Sequence, residues 1–193
     1  MLRIAIYGGT FDPIHTAHLS IAAEAARYFE LDRVLFIPAA NPPHKLATQT
    51  PYRHRLRMAE LACRADARFA ASNLEEGVEK SYSYYTILRV RELIQPGDEL
   101  FFLIGADAFA EIDTWHRSEE VIPMIEFLVV SRPGHVYRVP EGARVRRLET
   151  LALPVSSSSI RARLARGEMP EEVPAEVAAY IQEQGLYVEG RKE

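Results

Sequence analysis

The feature that most constrains the fold is a glycine pair between an apolar run and a helical stretch. Gly8 and Gly9 follow the run Leu2–Tyr7, which has the length of one buried strand, and the stretch from Ala17 to Glu30 is rich in alanine. Glycines carry no Cβ that would block a ligand from the backbone, and the first N–H groups of a helix lack intrahelical acceptors. The order of strand, glycine turn and helix therefore predicts an anion-binding turn.

Two histidines sharpen this prediction. The turn and the start of the helix read Gly8-Gly9-Thr10-Phe11-Asp12-Pro13-Ile14-His15-Thr16-Ala17-His18. His15 and His18 are three residues apart, so a helix that begins near His15 places both imidazole rings on one face of its first turn. The alternative is that His15 caps the helix and His18 packs under the sheet, but a histidine pair beside a double glycine favours donation to phosphate oxygens.

The same stretch does not match the familiar glycine-rich loops. It contains no Gly-x-x-x-x-Gly-Lys-Ser/Thr, and the second half of Gly-x-Gly-x-x-Gly is missing. Neither a P-loop ATPase nor a dinucleotide-binding loop is therefore supported.

Length and charge limit the class of protein. A chain of 193 residues can bury one core, and we expect one domain over residues 1–193 with a C-terminal helical part at about 156–187. A net charge of −4 argues against a nucleic-acid partner, and no apolar run approaches the roughly 18 residues of a membrane span. The single cysteine, Cys63, excludes an intrachain disulfide. We expect a cytoplasmic protein with no membrane partner, and a homo-oligomer is left open.

Apolar runs and helical stretches alternate along the chain. Strands are predicted at Leu2–Tyr7, Arg33–Pro38, Glu99–Ile104, Glu126–Ser131 and Leu148–Val155, and a short one could lie at Arg68–Ser72. Helices are predicted at Ala17–Glu30, Tyr52–Ala65, Tyr84–Ile94, Ser156–Arg166 and Pro174–Tyr187. This alternation predicts a three-layer α/β fold with a mainly parallel sheet.

Two further expectations concern the surface. The segment Tyr137–Val145, rich in proline, glycine and arginine, is interpreted as a surface excursion. In the helix Tyr52–Ala65 the spacing of apolar residues predicts that the inner face carries Leu56, Ala59, Leu61 and Ala62. The outer, solvated face is expected to carry Arg53, Arg55, Arg57 and Arg64. We assign these arginines no catalytic role.

A second strand-to-helix turn follows the strand Glu99–Ile104. It reads Gly105-Ala106-Asp107, and two such turns on adjacent strands would form a cleft at the carboxyl edge of the sheet. Asp107 can accept hydrogen bonds from a ribose hydroxyl there. The alternative is that Asp107 only caps the following helix.

Three other segments carry candidate side chains. His44 and Lys45 lie in a proline-rich loop after the strand Arg33–Pro38, where the lysine suits an anionic substrate. The serine run 156–159 opens a helix, and Arg161 one turn in can return to the same anion. Trp115 stands in polar sequence, which suits a stacking platform for an aromatic base. Read alone, these are a solvated loop, a helix cap and a partial core residue.

Together these segments resemble a known family. Gly-Gly-Thr-Phe-Asp-Pro-Ile-His-x-x-His resembles the opening signature of the nucleotidyltransferases with a His-x-Gly-His motif, and most closely bacterial nicotinate-nucleotide adenylyltransferases. Ala17 stands where the motif has glycine. Further segments in the same order, over nearly the whole chain, are similar too: Pro-Pro-His-Lys before Leu46, Ser81 to Thr86 with Ser83 in place of a threonine, Gly105 to Asp107, Arg132 to Gly134, and Val155 to Arg161.

The resemblance implies a Rossmann-like nucleotidyltransferase fold and a reaction of NAD biosynthesis. AMP would pass from ATP to nicotinate mononucleotide, giving nicotinate adenine dinucleotide and pyrophosphate, with Mg²⁺ bound through the substrate phosphates and no protein metal cage. The alternatives are a nicotinamide mononucleotide or phosphopantetheine adenylyltransferase, or a non-catalytic nucleotide sensor on the same fold.

The resemblance also implies roles for individual residues. The catalytic group would be His15, His18, Lys45 and Arg161. ATP would contact Gly8, Gly9, Thr10, Phe11, Ile104, Gly105, Asp107, Ser156, Ser157 and Ser158. The nicotinate nucleotide would contact His44, Lys45, Ser83, Thr86, Trp115 and His116. In the family the tryptophan stacks on the pyridine ring, and backbone N–H groups at the positions of Ser83 and His116 bind the carboxylate.

Overall fold

The structure is a computed structural model that describes residues 1–42, 50–151 and 155–188. In these ranges the strands are β1 Arg3–Gly9, β2 Arg33–Pro38, β3 Phe69–Ala71, β4 Glu99–Gly105, β5 Glu126–Ser131 and β6 Arg144–Glu149. The helices are α1 Thr16–Tyr28, α2 Tyr52–Cys63, α3 Ser83–Leu93, α4 Ala106–Ala110, α5 Ser118–Met124, α6 Ser157–Ala165 and α7 Ala175–Gln184, with a 3₁₀ turn at Ile112–Thr114. No helix within these ranges is long and apolar enough to cross a bilayer.

The strands form one sheet in the order β3-β2-β1-β4-β5-β6, and every pairing is parallel. The prediction of a mainly parallel sheet is confirmed. The strand order changes direction between β1 and β4, which makes this pair the topological switch point. In open parallel sheets ligands bind at the carboxyl ends of the strands beside such a point.

Helices cover both faces of the sheet, which confirms the three-layer α/β fold. Successive residues of β4 divide between two apolar cores, because side chains alternate across a strand. Phe101 and Leu103 pack with α1, α2, α6 and α7 on one face. Phe102 and Ile104 pack with α3, α4 and α5 on the other. Strands covered on both faces are continuously apolar, which explains why the central strands could be predicted from their composition.

The prediction for the last strand is wrong. β6 is Arg144–Glu149, so it begins in the segment predicted as a surface excursion, and the predicted strand 148–155 overlaps only its end. β6 is an edge strand that pairs with β5 alone, and of its six residues only Leu148 is buried. Charged side chains are common on edge strands, where one side of the ladder faces solvent. An arginine-rich edge strand therefore has no apolar pattern to predict it.

The outward placement of Arg55 is also wrong. Arg55 is 0% exposed and is the largest fully buried side chain in the described ranges. Arg53, Arg57 and Arg64 are exposed as predicted, and Ala59 and Ala62 are buried as predicted. Leu56 and Leu61, also predicted inward, are half-buried. Apolar periodicity could not reveal Arg55, because its partners are backbone carbonyls of distant loops.

Candidate active site

A cleft of about 580 Å³ lies at the carboxyl edge of the sheet, beside the switch point between β1 and β4. It is lined by the start of α1, the β4–α4 turn, the end of β5 and the start of α6. The predicted residues that line it are His15, His18, Gly105, Asp107, Ser156 and Ser157. These predicted residues come from three segments that are far apart in the sequence: the start of α1, the β4–α4 turn and the start of α6.

The two histidines form a contacting pair. His15 is the N-cap residue of α1, and its backbone N–H donates to Nδ1 of His18 at 3.2 Å. The ring centroids are 3.7 Å apart, and the ring planes meet at 30°. Because Nδ1 of His18 accepts a hydrogen bond, its neutral ring carries the proton on Nε2. His15 therefore caps the helix, and both rings still line the cleft.

Burial sets the charge of His15. The residue is only 4% exposed, and desolvation lowers the pKa of its imidazole to about 4, although the Glu172 carboxylate opposes the shift. At neutral pH His15 is therefore an uncharged ring. It can polarise a phosphate oxygen by hydrogen bonding but adds no positive charge to the cleft.

The first turn of α1 offers fewer backbone donors than the sequence predicts. The N–H of Thr16 donates to the Glu172 carbonyl at 2.8 Å, and the N–H of His18 donates to the His15 carbonyl at 3.0 Å. Ala17 is buried and lines the cleft with its methyl group. On the α1 side, anion binding must therefore rely more on the imidazole rings than on the helix N-terminus.

The glycine pair serves packing as well as ligand access. A Cβ at Gly9 would lie 2.9 Å from the Phe11 ring, which is buried against Tyr7 and Phe36. A Cβ at Gly8 would make an ordinary 3.8 Å contact with the Phe102 ring. Phe11 is thus a core side chain, so only its backbone can reach a nucleotide. The carbonyl of the neighbouring Thr10 accepts a hydrogen bond from Arg55, and the predicted nucleotide contacts of these four residues stay predictions.

The β4–α4 turn presents one open backbone position and one exposed carboxylate. A Cβ at Gly105 would meet no atom within 4 Å among the described residues, so the space above it belongs to the cleft. The preceding Ile104 is a core residue. The Asp107 side chain is 98% exposed and does not cap α4, whose N-cap is Gly105. Its Oδ1 lies 3.6 Å from Nε2 of His135, a cleft residue that the sequence analysis missed although it follows the carboxyl end of β5.

Protein groups engage the hydroxyls of the three serines predicted to contact ATP at the start of α6. Ser156 Oγ accepts from the Ser159 N–H at 3.1 Å, and Ser157 Oγ donates to the Pro13 carbonyl at 3.1 Å. Ser158 Oγ accepts from Arg161 at 3.2 Å. Because the Ser159 N–H already donates to Ser156, a phosphate would be bound by the N–H groups of Ser157 and Ser158, which have no intrahelical acceptors, rather than by the hydroxyls.

Arg161 joins α6 to the loop after β1. Its Nη1 donates to the Asp12 carbonyl at 2.7 Å, while its Nη2 contacts Ser158. The Ser157–Pro13 hydrogen bond makes a second link between the same segments. The positive charge of Arg161 is thus fixed beside the loop that leads to the histidine pair.

Ser83, Trp115 and His116, predicted to bind the pyridine nucleotide, lie on the side of the sheet that α3, α4 and α5 cover. The His116 ring stacks on Tyr82 with centroids 4.1 Å apart, and the Trp115 ring packs edge-on against Phe102 at 5.7 Å. Ser83 is the first residue of α3, and the first N–H groups of a helix have no acceptor within the helix. We call Tyr82, Ser83, Trp115 and His116 the aromatic cluster.

Thr86 is held by contacts within the protein. It is buried, and its hydroxyl donates to Glu75 Oε1 at 2.6 Å. Its N–H donates to the Tyr82 carbonyl within α3. A direct contact of Thr86 with a nucleotide stays a prediction, but its polar groups already have partners. His44 and Lys45 lie outside the described residues.

Phe102 connects the glycine turn with the aromatic cluster. A Cβ at Gly8 would lie 3.8 Å from its ring, and the ring packs edge-on against Trp115 with centroids 5.7 Å apart. The glycine turn, at the β1–β4 switch point, leads along the chain to the histidine pair of the cleft.

Comparison with known proteins identifies the family. The family model described as cytidylyltransferase-like matches residues 6–163. A probable nicotinate-nucleotide adenylyltransferase from Solibacter usitatus is 58% identical over 187 residues, which covers 96% of this chain and 100% of the relative. One from Exiguobacterium sibiricum is 44% identical over 188 residues, with 96% and 99% covered. The chain belongs to the nicotinate-nucleotide adenylyltransferase family. The family predicted from the motifs is thereby confirmed.

A solved structure shows the same fold at low sequence identity. The nicotinic acid mononucleotide adenylyltransferase of Plasmodium falciparum, solved in complex with NaAD, matches with a TM-score of 0.77 at 20% identity, covering 97% of this chain and 98% of the other. Together with the all-parallel sheet, this confirms the Rossmann-like nucleotidyltransferase fold.

Proposed function

We propose that the protein transfers AMP from ATP to nicotinate mononucleotide, giving nicotinate adenine dinucleotide and pyrophosphate. The observation that carries the proposal is that the glycine turn, which leads to the histidine pair of the cleft, also lies against Phe102, which contacts Trp115 of the aromatic cluster. An adenylyl transfer to a pyridine nucleotide needs these two kinds of surface side by side. Family membership supports the same reaction, and the structurally similar Plasmodium enzyme was solved in complex with NaAD.

In this proposal ATP occupies the cleft. Its triphosphate faces the histidine pair and the N-terminus of α6, and its ribose faces Asp107. The adenine lies against the backbone at Ile104 and Gly105, where a side chain is missing. Arg161, fixed on Asp12, supplies positive charge near the phosphates.

Nicotinate mononucleotide then occupies the aromatic cluster. Trp115 offers a ring face or edge to the pyridine, and the N–H groups of Ser83 and His116 converge on its carboxylate. A carboxylate gains more than an amide does from converging N–H donors, because charge-assisted hydrogen bonds are stronger than neutral ones. This preference would make the acid the better substrate. His44 and Lys45 are further proposed contacts outside the described residues.

The chemistry requires positioning and charge stabilisation rather than an enzyme nucleophile. A phosphate oxygen of the mononucleotide attacks the α-phosphorus of ATP in line, the bond to the bridging oxygen breaks, and pyrophosphate leaves. His18 donates from Nε2 to phosphate oxygens whose negative charge grows in the transition state. His15, held neutral by burial, donates without needing a proton from solvent.

Mg²⁺ is proposed to bind through the nucleotide. The described ranges contain no group of three or more His, Cys, Asp and Glu side chains that could hold a metal ion. We propose that the phosphates of ATP would hold the ion, which would neutralise phosphate charge. A cytoplasmic location stays a prediction, and a homo-oligomer is left open.

A comparison of acceptors tests the proposal. Pyrophosphate release would be measured with ATP and Mg²⁺ and with nicotinate mononucleotide, nicotinamide mononucleotide or phosphopantetheine. We expect kcat/KM for the nicotinate substrate to exceed that for the other two by about tenfold or more. A preference for the amide would contradict the carboxylate site, and a preference for phosphopantetheine would contradict the aromatic cluster as a pyridine site. ATP binding without pyrophosphate release would indicate a nucleotide sensor.

A further inference from the structure

Arg55 binds backbone carbonyls at the ends of two strands. It extends from α2 into the protein interior, where its guanidinium is completely buried. Nη1 donates to the Thr10 and Ala39 carbonyls at 2.7 Å each, Nη2 donates to the Ala40 carbonyl at 3.2 Å, and Nε donates to the Thr50 carbonyl at 3.0 Å. Because the guanidinium is planar and rigid, it fixes these four carbonyls relative to one another.

The carbonyls belong to the segments that carry the site. Thr10 follows β1 directly, and Ala39 and Ala40 follow β2 directly. The two strands also meet here, since the Ala39 N–H donates to the Gly9 carbonyl at 2.8 Å. Burying a charged side chain away from water is costly, so a generic core position would hold an apolar residue. The hydrogen-bond geometry is what distinguishes arginine at this position.

Tyr187 holds the same loop from the C-terminal side. The chain leaves α7 through Gly185, and the Tyr187 hydroxyl donates to Asp12 Oδ1 at 2.7 Å. Asp12 is itself buried, and its carbonyl accepts from Arg161. Burial and the Asp12 carboxylate both raise the pKa of Tyr187, so the hydroxyl keeps its proton and remains a donor.

We infer that Arg55 and Tyr187 are positioning residues for AMP transfer. They hold the loop Thr10–Ile14 so that the histidine pair and the N-terminus of α6 face the same phosphate group. Neither side chain is among the described residues that line the cleft, so each acts through the loop rather than on the substrate. The inference rests on the proposed function. Small displacements of aligned reacting groups lower rate more than binding, so the effect should fall on kcat.

The network also reaches the aromatic cluster. Glu75 accepts from the Ala40 N–H at 3.3 Å and from the Thr86 hydroxyl at 2.6 Å. Arg55, Ala40, Glu75 and Thr86 therefore link the end of β2 to the first turns of α3. Displacement of Arg55 should disturb both substrate regions, whereas displacement of Tyr187 should disturb the phosphate side alone.

Two variants with matched controls test the inference. Tyr187→Phe removes one hydroxyl, and its control is Tyr180→Phe, which removes a hydroxyl that contacts His54 Nδ1 at 2.9 Å between α7 and α2. Arg55→Lys keeps the charge but cannot span four carbonyls, and its control is Met58→Ala, a fully buried change on the same helix. Melting temperatures and circular dichroism would be recorded for all four.

We expect kcat to fall by about tenfold in Tyr187→Phe and by more in Arg55→Lys, with KM for ATP within about threefold of the wild type in Tyr187→Phe. The controls should keep kcat within about threefold of the wild type, even where their melting temperatures fall as much as those of the test variants. If Arg55→Lys does not fold, Tyr187→Phe alone decides the matter.

The inference is overturned if kcat of Tyr187→Phe stays within threefold of the wild type, or falls no further than in its control. A wild-type protein that releases no pyrophosphate would instead overturn the proposed function, and the inference with it. An active wild type with unaffected variants would overturn only the positioning role.

Discussion

The cleft and the aromatic cluster recognise ligands by different physical means. The cleft combines a histidine pair in which His15 is uncharged at neutral pH, the backbone N–H groups of α6 and a glycine without a side chain. The aromatic cluster presents stacked rings beside the first turn of α3. Hydrogen bonds to phosphate oxygens strengthen as charge develops, whereas ring contacts are made equally in the ground state and the transition state. Changes in the cleft should therefore lower kcat, and changes in the cluster should raise KM for the acceptor.

His18 gives the largest expected effect. His18→Ala removes the Nε2 donor from the cleft, and we expect kcat to fall by about a hundredfold or more, or roughly 3 kcal/mol of transition-state stabilisation. The fold should be retained, which circular dichroism would verify. Steady-state pyrophosphate release gives the rate, and a loss below about threefold would remove the histidine pair from the mechanism.

His15 gives a pH dependence of stability. Its pKa in the folded protein is about 4, below the ordinary value of 6.5, so the unfolded chain binds more protons between these values. The contribution of His15 to the free energy of unfolding should be fully present above pH 6.5 and should be lost as the pH decreases towards 4. We expect this contribution to be about 2–3 kcal/mol. Urea unfolding from pH 4 to 7 would measure it.

His15→Asn is the control for that measurement, since asparagine is a good N-cap residue that does not titrate in this range. The unfolding free energy of the wild type minus that of the variant should decrease as the pH falls from 6.5 to 4, because only the wild type titrates there. Parallel curves for the two proteins would contradict the neutral state of His15.

Trp115 tests the other side of the comparison. Trp115→Ala removes the ring next to Phe102, and we expect KM for nicotinate mononucleotide to rise by about tenfold while kcat and KM for ATP change by less than about threefold. Initial rates over a matrix of both substrate concentrations separate these constants. A drop in kcat with an unchanged acceptor KM would place Trp115 with the phosphate machinery.

Thr86 gives the smallest expected effect. Thr86→Val leaves the buried Glu75 carboxylate without its hydroxyl donor, so the free energy of unfolding should fall by about 1–2 kcal/mol. Acceptor KM should stay within about threefold, because the hydroxyl already has a protein partner. A large rise in acceptor KM at unchanged stability would restore Thr86 to the nucleotide site. Ser83→Ala is the matched control, since backbone contacts at that position should survive the change.

The sequence predicted those parts of the site that depend on position along the chain. β2 and β5 have the predicted bounds, because strands buried on both faces are apolar throughout. The glycine turns and the serine run fell at the carboxyl edge, because parallel strands all end there. The histidine spacing placed both rings in the cleft once α1 began at Thr16.

The rest depends on contacts between distant segments, which no local pattern contains. Arg55 has the spacing of a solvated face, yet it binds carbonyls of Thr10 and Ala39. The N–H of Thr16 donates to the carbonyl of Glu172, which lies far along the chain. β6 lacks an apolar pattern because it is an edge strand. In each case the partner is a backbone group, and backbone groups carry no signal in the sequence.

Equilibrium binding to two variants tests the division of labour most directly. Calorimetry would measure the affinity of ATP with Mg²⁺ and of nicotinate mononucleotide, each alone, for the wild type, His18→Ala and Trp115→Ala. We predict that His18→Ala weakens ATP binding and leaves mononucleotide binding within about threefold, and that Trp115→Ala does the reverse. If both variants lost affinity for the same ligand, the cleft and the aromatic cluster would not be two separate substrate sites.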